Sequence, residues 1–136
     1  MRSIVLDASV VIKWFLLEKL SQKAIKFRFQ HLKGEIVISA PSLLIFEITN
    51  VLCTKKGINK EVISSALNSF YAAEVKEYPF DKNLTEGMVK IAKKFKITAY
   101  DACYLALAQK LACRFYTADE KLYRKVSSLK FVRLFS

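Results

Sequence analysis

The chain has 136 residues, 53% of them hydrophobic, with 3 glycines and 2 prolines, which predicts a single domain, residues 1–136, that buries its own core. No apolar run approaches the roughly 20 residues of a membrane span, and Asp7 interrupts the apolar stretch at the N-terminus, so we expect a cytoplasmic protein without membrane contact or signal peptide. A net charge of +11 favours a polyanionic partner, the alternative being a lysine-rich solvated surface.

The sequence pattern predicts strands that alternate with helices. In chain order we predict strand 2–6, helices 8–17 and 21–32, strand 36–38, helices 41–57 and 60–73, strand 75–78, helices 81–94 and 98–111, strand 113–116, helix 117–126 and strand 131–134. Gly34 ends one helix, and Pro41 starts another at the first helical position, where proline is tolerated. This order, without a tight hairpin signal, predicts an α/β fold with a parallel sheet of four to five strands.

Three of the four aspartates stand near the ends of predicted strands or helices. Asp7 directly follows the first strand, Asp119 follows the fourth, and Asp101 lies in the first turn of a helix. Parallel sheets bind ligands beyond the carboxyl ends of their strands. Each aspartate also has a structural role open to it, as a helix cap, as part of a capping box with Thr98, or as a charge that suits a helix dipole.

Glu47 is harder to explain by a structural role. It lies inside LLIFEITNVL, far from the predicted helix start, on a face that is apolar except for Asn50. A carboxylate on such a face is costly unless it is paired or bound to a metal ion. The alternative is an ion pair with a lysine or arginine distant in the sequence.

Four carboxylates gathered at one sheet edge would repel one another, by roughly 4 kcal/mol for a pair about 4 Å apart at an effective dielectric constant of about 20. A divalent cation relieves this repulsion, and an all-oxygen donor set suits Mg²⁺ or Mn²⁺. The only histidine, His31, lies in a polar stretch, and the 3 cysteines have apolar neighbours. We therefore expect no histidine ligand and reduced core cysteines. Such a cation site suits phosphodiester hydrolysis by an activated water.

Four segments stand out in order along nearly the whole chain: IVLDASVVIKWF, PSLLIFEITNVL, TAYDACYLALAQ and FYTADEKL. Each alone is a weak motif, but together they resemble the PIN domain family, and specifically its VapC-type toxin nucleases. The resemblance implies a three-layer α/β/α domain whose first strand is central in the sheet.

The resemblance also implies site residues and partners. The family's acidic positions, which bind metal and carry catalysis, are matched by Asp7, Glu47, Asp101 and Asp119. Supporting polar positions are matched by Ser9, Asn50 and Thr117, with capping or simple polar satisfaction as the alternative roles. The implied activity is that of an endoribonuclease dependent on Mg²⁺ or Mn²⁺, the toxin of a type II toxin–antitoxin pair. Its implied partners are RNA, a cognate antitoxin and a second copy in a homodimer.

Other functions stay open at this point. The chain could be a catalytically silent RNA-binding or regulatory PIN module, or a PIN nuclease that processes RNA without an antitoxin. A DNA-cleaving, flap-type nuclease shares the chemistry, but the short chain has no inserted helical arch. Lys13 could meet a phosphate, although a surface pair with Glu18 is favoured. The helical spacing of aromatic residues such as Tyr104 favours core or dimer-interface positions over base stacking.

Overall fold

A parallel sheet organises residues 2–136, the part of the chain that the computed structural model describes. Its strands are β1 (Arg2–Leu6), β2 (Ile36–Pro41), β3 (Lys76–Tyr78), β4 (Arg114–Thr117) and β5 (Val132–Leu134). Their order is β3-β2-β1-β4-β5, and every neighbouring pair is parallel. The predicted α/β class and the central position of the first strand are therefore confirmed.

Helices cover the sheet on both faces. They are α1 (Ala8–Val11), α2 (Ser21–Leu32), α3 (Leu44–Thr54), α4 (Lys60–Ala72), α5 (Lys82–Phe95), α6 (Ala99–Lys110) and α7 (Glu120–Val126). Ile4, Val5 and Leu6 are fully buried, although successive side chains of a strand point to opposite faces. This burial requires a layer on each side, as in the three-layer α/β/α arrangement. None of the helices in residues 2–136 has the length and apolar character that crossing a membrane requires.

The most buried helix, α6, lies between the sheet and α5. It packs on β1, β2 and β4, and α5 packs on it from outside. Residues 102–108 of α6 are consequently all buried. This helix carries Asp101 at its N-terminal end, so the packing of α6 sets the position of that carboxylate relative to the sheet.

Two predicted helix boundaries are wrong. The first helix ends as a 3₁₀ turn at Trp14 rather than at Leu17, because Trp14 is buried and its Nε1 donates to the Ala24 carbonyl at 2.9 Å, which ties it to α2. Pro41 is the last residue of β2, where it pairs with Tyr78, and α3 begins only at Leu44. A proline is tolerated at the end of a strand when no ladder hydrogen bond needs its nitrogen.

The later start of α3 places Glu47 in the first turn of that helix. A negative charge there is favoured by the helix dipole, so the sequence argument that Glu47 is too far along its helix for a terminal role is wrong.

The cysteine prediction is only partly right. Cys103 is buried and Cys113 is half-buried, whereas Cys53 is exposed. Cys53 lies on the face of α3 that also exposes Phe46 and Asn50. That face is turned away from the sheet, which the local apolar sequence around Cys53 does not reveal.

Candidate active site

The carboxyl ends of β1 and β4 meet where the strand order reverses. β2 and β3 lie on one side of β1, and β4 and β5 on the other. Open parallel sheets bind ligands at such a point. Asp7 directly follows β1, and Asp119 is separated from β4 only by Ala118, so the topology brings both aspartates to this edge.

Asp7 is 7% exposed, and hydroxyl groups hold its carboxylate on both sides. Ser9 donates to Oδ1 from its backbone nitrogen at 3.1 Å and from its hydroxyl, and Thr117 donates to Oδ2 at 2.6 Å. The same hydroxyls accept from the turn after β4: Ser9 Oγ from Ala118 N at 2.8 Å, and Thr117 Oγ1 from Asp119 N at 3.1 Å. The network therefore fixes Asp7 relative to the turn that carries Asp119.

Glu47 is half-buried, and a tyrosine from another helix orients it. The Tyr104 hydroxyl donates to Glu47 Oε1 at 2.5 Å, and Tyr104 itself is 1% exposed. This contact is not predicted from the sequence. The available signal was a hydroxyl within the apolar stretch of α6, three residues after Asp101 and thus on the same face of the helix.

The carboxylates act on one another electrostatically. Burial raises the pKa of Asp7 to about 7, against the opposing effect of its hydrogen bonds with Ser9 and Thr117. The charges of Glu47 and Asp101 act in the same direction as burial. Burial also raises the pKa of Glu47, and the charge of Asp101 adds to that effect.

Asp101 couples this group to Asp119. Burial raises the pKa of Asp101, the charge of Asp119 raises it further, and the charge of Lys125 lowers it. Like charges raise a carboxyl pKa only when they lie close by or in a poorly solvated setting. The structure thus brings all four predicted carboxylates into one coupled group.

Asp7 and Asp119 also have the helix-capping roles that the sequence left open. Asp7 is the N-cap of α1, and Asp119 is the N-cap of α7, accepting from Leu122 N at 3.1 Å. Thr98 caps α6 by accepting from the backbone nitrogen of Asp101 at 3.1 Å. The Thr98 hydroxyl also acts on the Asp101 side chain, and this hydrogen bond lowers the pKa of that carboxyl against the effects of burial and of Asp119.

The donor set fits a divalent cation by its chemistry. As the side chains stand, no three acidic, histidine or cysteine groups within residues 2–136 converge closely enough to hold a metal ion. All four coupled groups nevertheless offer oxygen, the donor that Mg²⁺ and Mn²⁺ prefer. The raised pKa values of Asp7, Glu47 and Asp101 measure a cost of ionisation, which a bound cation would remove.

His31 is engaged elsewhere and is not part of this group. Its Nδ1 accepts from Ile38 N at 3.0 Å, and its Nε2 lies 2.8 Å from the Ala73 carbonyl oxygen. These bonds fasten α2 to β2 and to the end of α4. The single histidine therefore has a structural role.

Residues 4–127 match the PIN domain family. The chain belongs to this family. PIN domains are generally nucleases, and these nucleases generally use divalent metals. No curated protein matches the chain in sequence at a significant level.

Solved structures share the fold of this PIN domain at low sequence identity. PAE2754 from Pyrobaculum aerophilum has a TM-score of 0.69 and 18% identity, over 91% of this chain and 79% of that one. VapBC2 from Rickettsia felis, bound to a DNA fragment from its promoter, has a TM-score of 0.73 and 14% identity, over 98% and 99%. FitAcB from Neisseria gonorrhoeae has a TM-score of 0.65 and 16% identity, over 98% and 96%.

Two polar residues of the PIN domain lie apart from the coupled carboxylates. Asn50 is exposed, and its side chain makes no hydrogen bond within the described part of the chain. Its predicted support of the acidic site stays a prediction. Lys13 pairs with Glu18 at 3.4 Å, as expected, and is thereby held away from a role as a free phosphate ligand.

Proposed function

We propose that this PIN domain is a metal-dependent endoribonuclease and the toxin of a type II toxin–antitoxin pair. The observation that carries the proposal is the electrostatic coupling of four carboxylates, Asp7, Glu47, Asp101 and Asp119. Burial raises the pKa of Asp7, Glu47 and Asp101, and the charges of neighbouring carboxylates add to this effect, which favours a bound cation. The net charge of +11 favours a polyanionic substrate.

The residues of the chain hold the reacting groups in place. When bound, Mg²⁺ or Mn²⁺ supplies an activated water and stabilises the charge that develops on the phosphate. Ser9 and Thr117 keep Asp7 in one orientation. Tyr104 occupies Oε1 of Glu47 and leaves Oε2 without a hydrogen bond within residues 2–136. The carboxylates of Asp7 and Glu47 therefore have their direction set by their neighbours.

A protein partner is supported by an apolar groove on the exposed face of α3. The groove has a volume of about 520 Å³ and is lined by Ile45, Phe46, Thr49, Asn50, Cys53 and Tyr71. Phe46 is 71% exposed and Tyr71 is 63% exposed, and clustered exposed aromatics mark interaction surfaces. An antitoxin segment seated there would contact α3, the helix that also carries Glu47. A homodimer stays a further prediction.

Cleavage of end-labelled single-stranded RNA tests the nuclease. We expect wild-type protein to cut with Mg²⁺ or Mn²⁺ and not with EDTA, and Asp7→Asn protein to be inactive in both. Cleavage that survives EDTA and the substitution would overturn the proposal.

The capping bonds of Asp7 and Asp119 favour one second candidate, a catalytically silent RNA-binding module. Metal-independent RNA binding, without cleavage of any of several RNAs, would establish this candidate instead.

Tyr104→Phe is expected to weaken metal binding by roughly 10- to 100-fold, because residues that orient metal ligands have effects of this size. Stability should change little, since Glu47 is half-buried and water can replace the lost bond. The dissociation constant for Mn²⁺, measured by electron paramagnetic resonance, gives the result without relying on activity. Tyr71→Phe, at an exposed tyrosine, is the matched control. Equal Mn²⁺ affinity in both variants would contradict the orienting role of Tyr104.

A further inference from the structure

A small cleft adjoins the acidic site at Asp101 and Asp119. Asp101 and Asp119 line this cleft, which has a volume of about 220 Å³, together with Thr98 and three lysines, Lys96, Lys121 and Lys125. The volume is below the roughly 300–1,000 Å³ of pockets that enclose drug-sized ligands. It suits a phosphate group better than a complete nucleotide.

The cleft lysines have no carboxylate partner of their own. Among residues 2–136, no ion pair within 4.0 Å involves any of the three. By contrast, Lys13 and Lys55 both pair with Glu18, at 3.4 and 3.3 Å. The cleft therefore holds three lysines without an ion pair beside two carboxylates. The charge of Lys125 acts on Asp101, whereas Lys96 and Lys121 are available to an anion.

Three elements bring these lysines together. Lys96 ends α5 with a left-handed backbone, φ +55°, and the chain then turns directly into Thr98 at the start of α6. Lys121 and Lys125 are four residues apart on α7 and share a helix face. Like charges at this spacing destabilise a helix slightly, and the pair gains no compensating ion pair within the described residues. A bound anion would supply that compensation.

We propose that Lys96, Lys121 and Lys125 bind the RNA phosphate adjacent to the one that is hydrolysed. The inference rests on the proposed nuclease function and deepens it. The cleft shares Asp101 and Asp119 with the acidic site, so a phosphate in the cleft lies next to the reacting centre along the same strand. The contacts are to phosphate, which positions a strand without reading its sequence.

The test compares two double variants with equal charge loss. Lys96→Gln with Lys121→Gln empties the cleft of two charges. Lys26→Gln with Lys60→Gln removes two exposed lysines on α2 and α4 that form no ion pair within residues 2–136. Lys125 is left in place because its charge also acts on Asp101. Both pairs are made in an Asp7→Asn background, so that the RNA stays intact while binding is measured by fluorescence anisotropy.

The cleft variant is expected to bind single-stranded RNA up to about five-fold more weakly than its parent at about 0.1 M salt, because the two substitutions weaken one phosphate contact. The slope of log affinity against log salt should become shallower by up to about 0.7, the contribution of one phosphate contact to a single strand. The control pair should weaken binding less than about two-fold. Equal losses in both pairs would show that the lysines act only through net charge, which overturns the cleft.

Lys96→Gly separates binding from folding. Glycine adopts positive φ without strain, so this variant is expected to unfold at a temperature roughly 3–5 °C higher while binding RNA more weakly, by at most about five-fold. A purely structural Lys96 would give the same rise in melting temperature with unchanged RNA affinity, and this result would remove Lys96 from the cleft.

The proposed function and the cleft can fail separately. Wild-type protein that cleaves RNA, with cleft variants that bind like the controls, would overturn the cleft alone. Wild-type protein that does not cleave, with cleft variants that bind weakly, would overturn the nuclease and support the cleft. Absence of any RNA binding by the wild type would overturn both.

Discussion

Asp7→Asn is expected to lower the rate of RNA cleavage by about 10³-fold or more while the fold stays intact. The substitution removes one negative ligand, and a loss of several kcal/mol of charge stabilisation corresponds to a factor of this size. The amide has the same shape as the carboxylate, can accept from Ser9 and can share a hydrogen bond with Thr117. The measurement is the single-turnover rate at saturating Mn²⁺, together with circular dichroism to verify the fold.

Asp81→Asn is the matched control for this substitution. Asp81 caps α5, accepting from Leu84 N at 2.7 Å, and lies outside the coupled carboxylates. The Asp81→Asn protein should cleave RNA at the wild-type rate and lose a small amount of stability. A wild-type rate in Asp7→Asn protein would remove Asp7 from the site.

The other acidic positions extend the same experiment. Glu47→Gln and Asp101→Asn should abolish cleavage as Asp7→Asn does. Asp119→Asn should have a smaller effect, because an amide oxygen can still bind a cation and can still cap α7. Equal losses at all four positions would contradict this difference between Asp119 and the rest.

The order of strands and helices could be predicted because each element has a local signal. The apolar run of β1 and the capping residue Asn59, which accepts from Val62 N at 2.9 Å, are examples. The start of α3 could not be predicted from the sequence, because a proline fits both the first turn of a helix and the end of a strand. Pairing with Tyr78 on β3, far along the chain, decides between them.

Some parts of the candidate site could likewise be predicted from the sequence, and others could not. Asp7 and Asp119 could be located because parallel strands bring their carboxyl ends to one edge. The contact of Tyr104 with Glu47 depends on how α6 packs relative to α3, which no local pattern reports. The lysine cleft likewise depends on the end of α5 meeting α7. Sequence reasoning named the acidic candidates, whereas the contact that orients Glu47 and the lysine cleft emerge only from packing between distant elements.

In EDTA, Asp7→Asn protein is expected to be more stable than wild type at pH 8 and similar to it near pH 4. Burial raises the pKa of Asp7 from 3.8 to about 7 in the folded state. Between these values the folded protein holds a proton that the unfolded chain has released. The stabilisation from Asp7 is therefore complete below about pH 4 and is lost as the pH rises through about 7. At 1.36 kcal/mol per pH unit, the loss is at most about 4 kcal/mol.

Urea unfolding at pH 4, 6 and 8 measures this difference, and comparing the two proteins cancels the titration of groups that do not interact with Asp7. Mn²⁺ should then stabilise wild type more at pH 8 than at pH 5, because a cation binds the ionised carboxylate and competes with the proton. The same addition should stabilise Asp7→Asn protein much less. If wild type and Asp7→Asn lose stability in parallel from pH 4 to 8, ionisation of the buried Asp7 carboxyl does not destabilise the folded protein. The cation would then have no excess cost to relieve at that position.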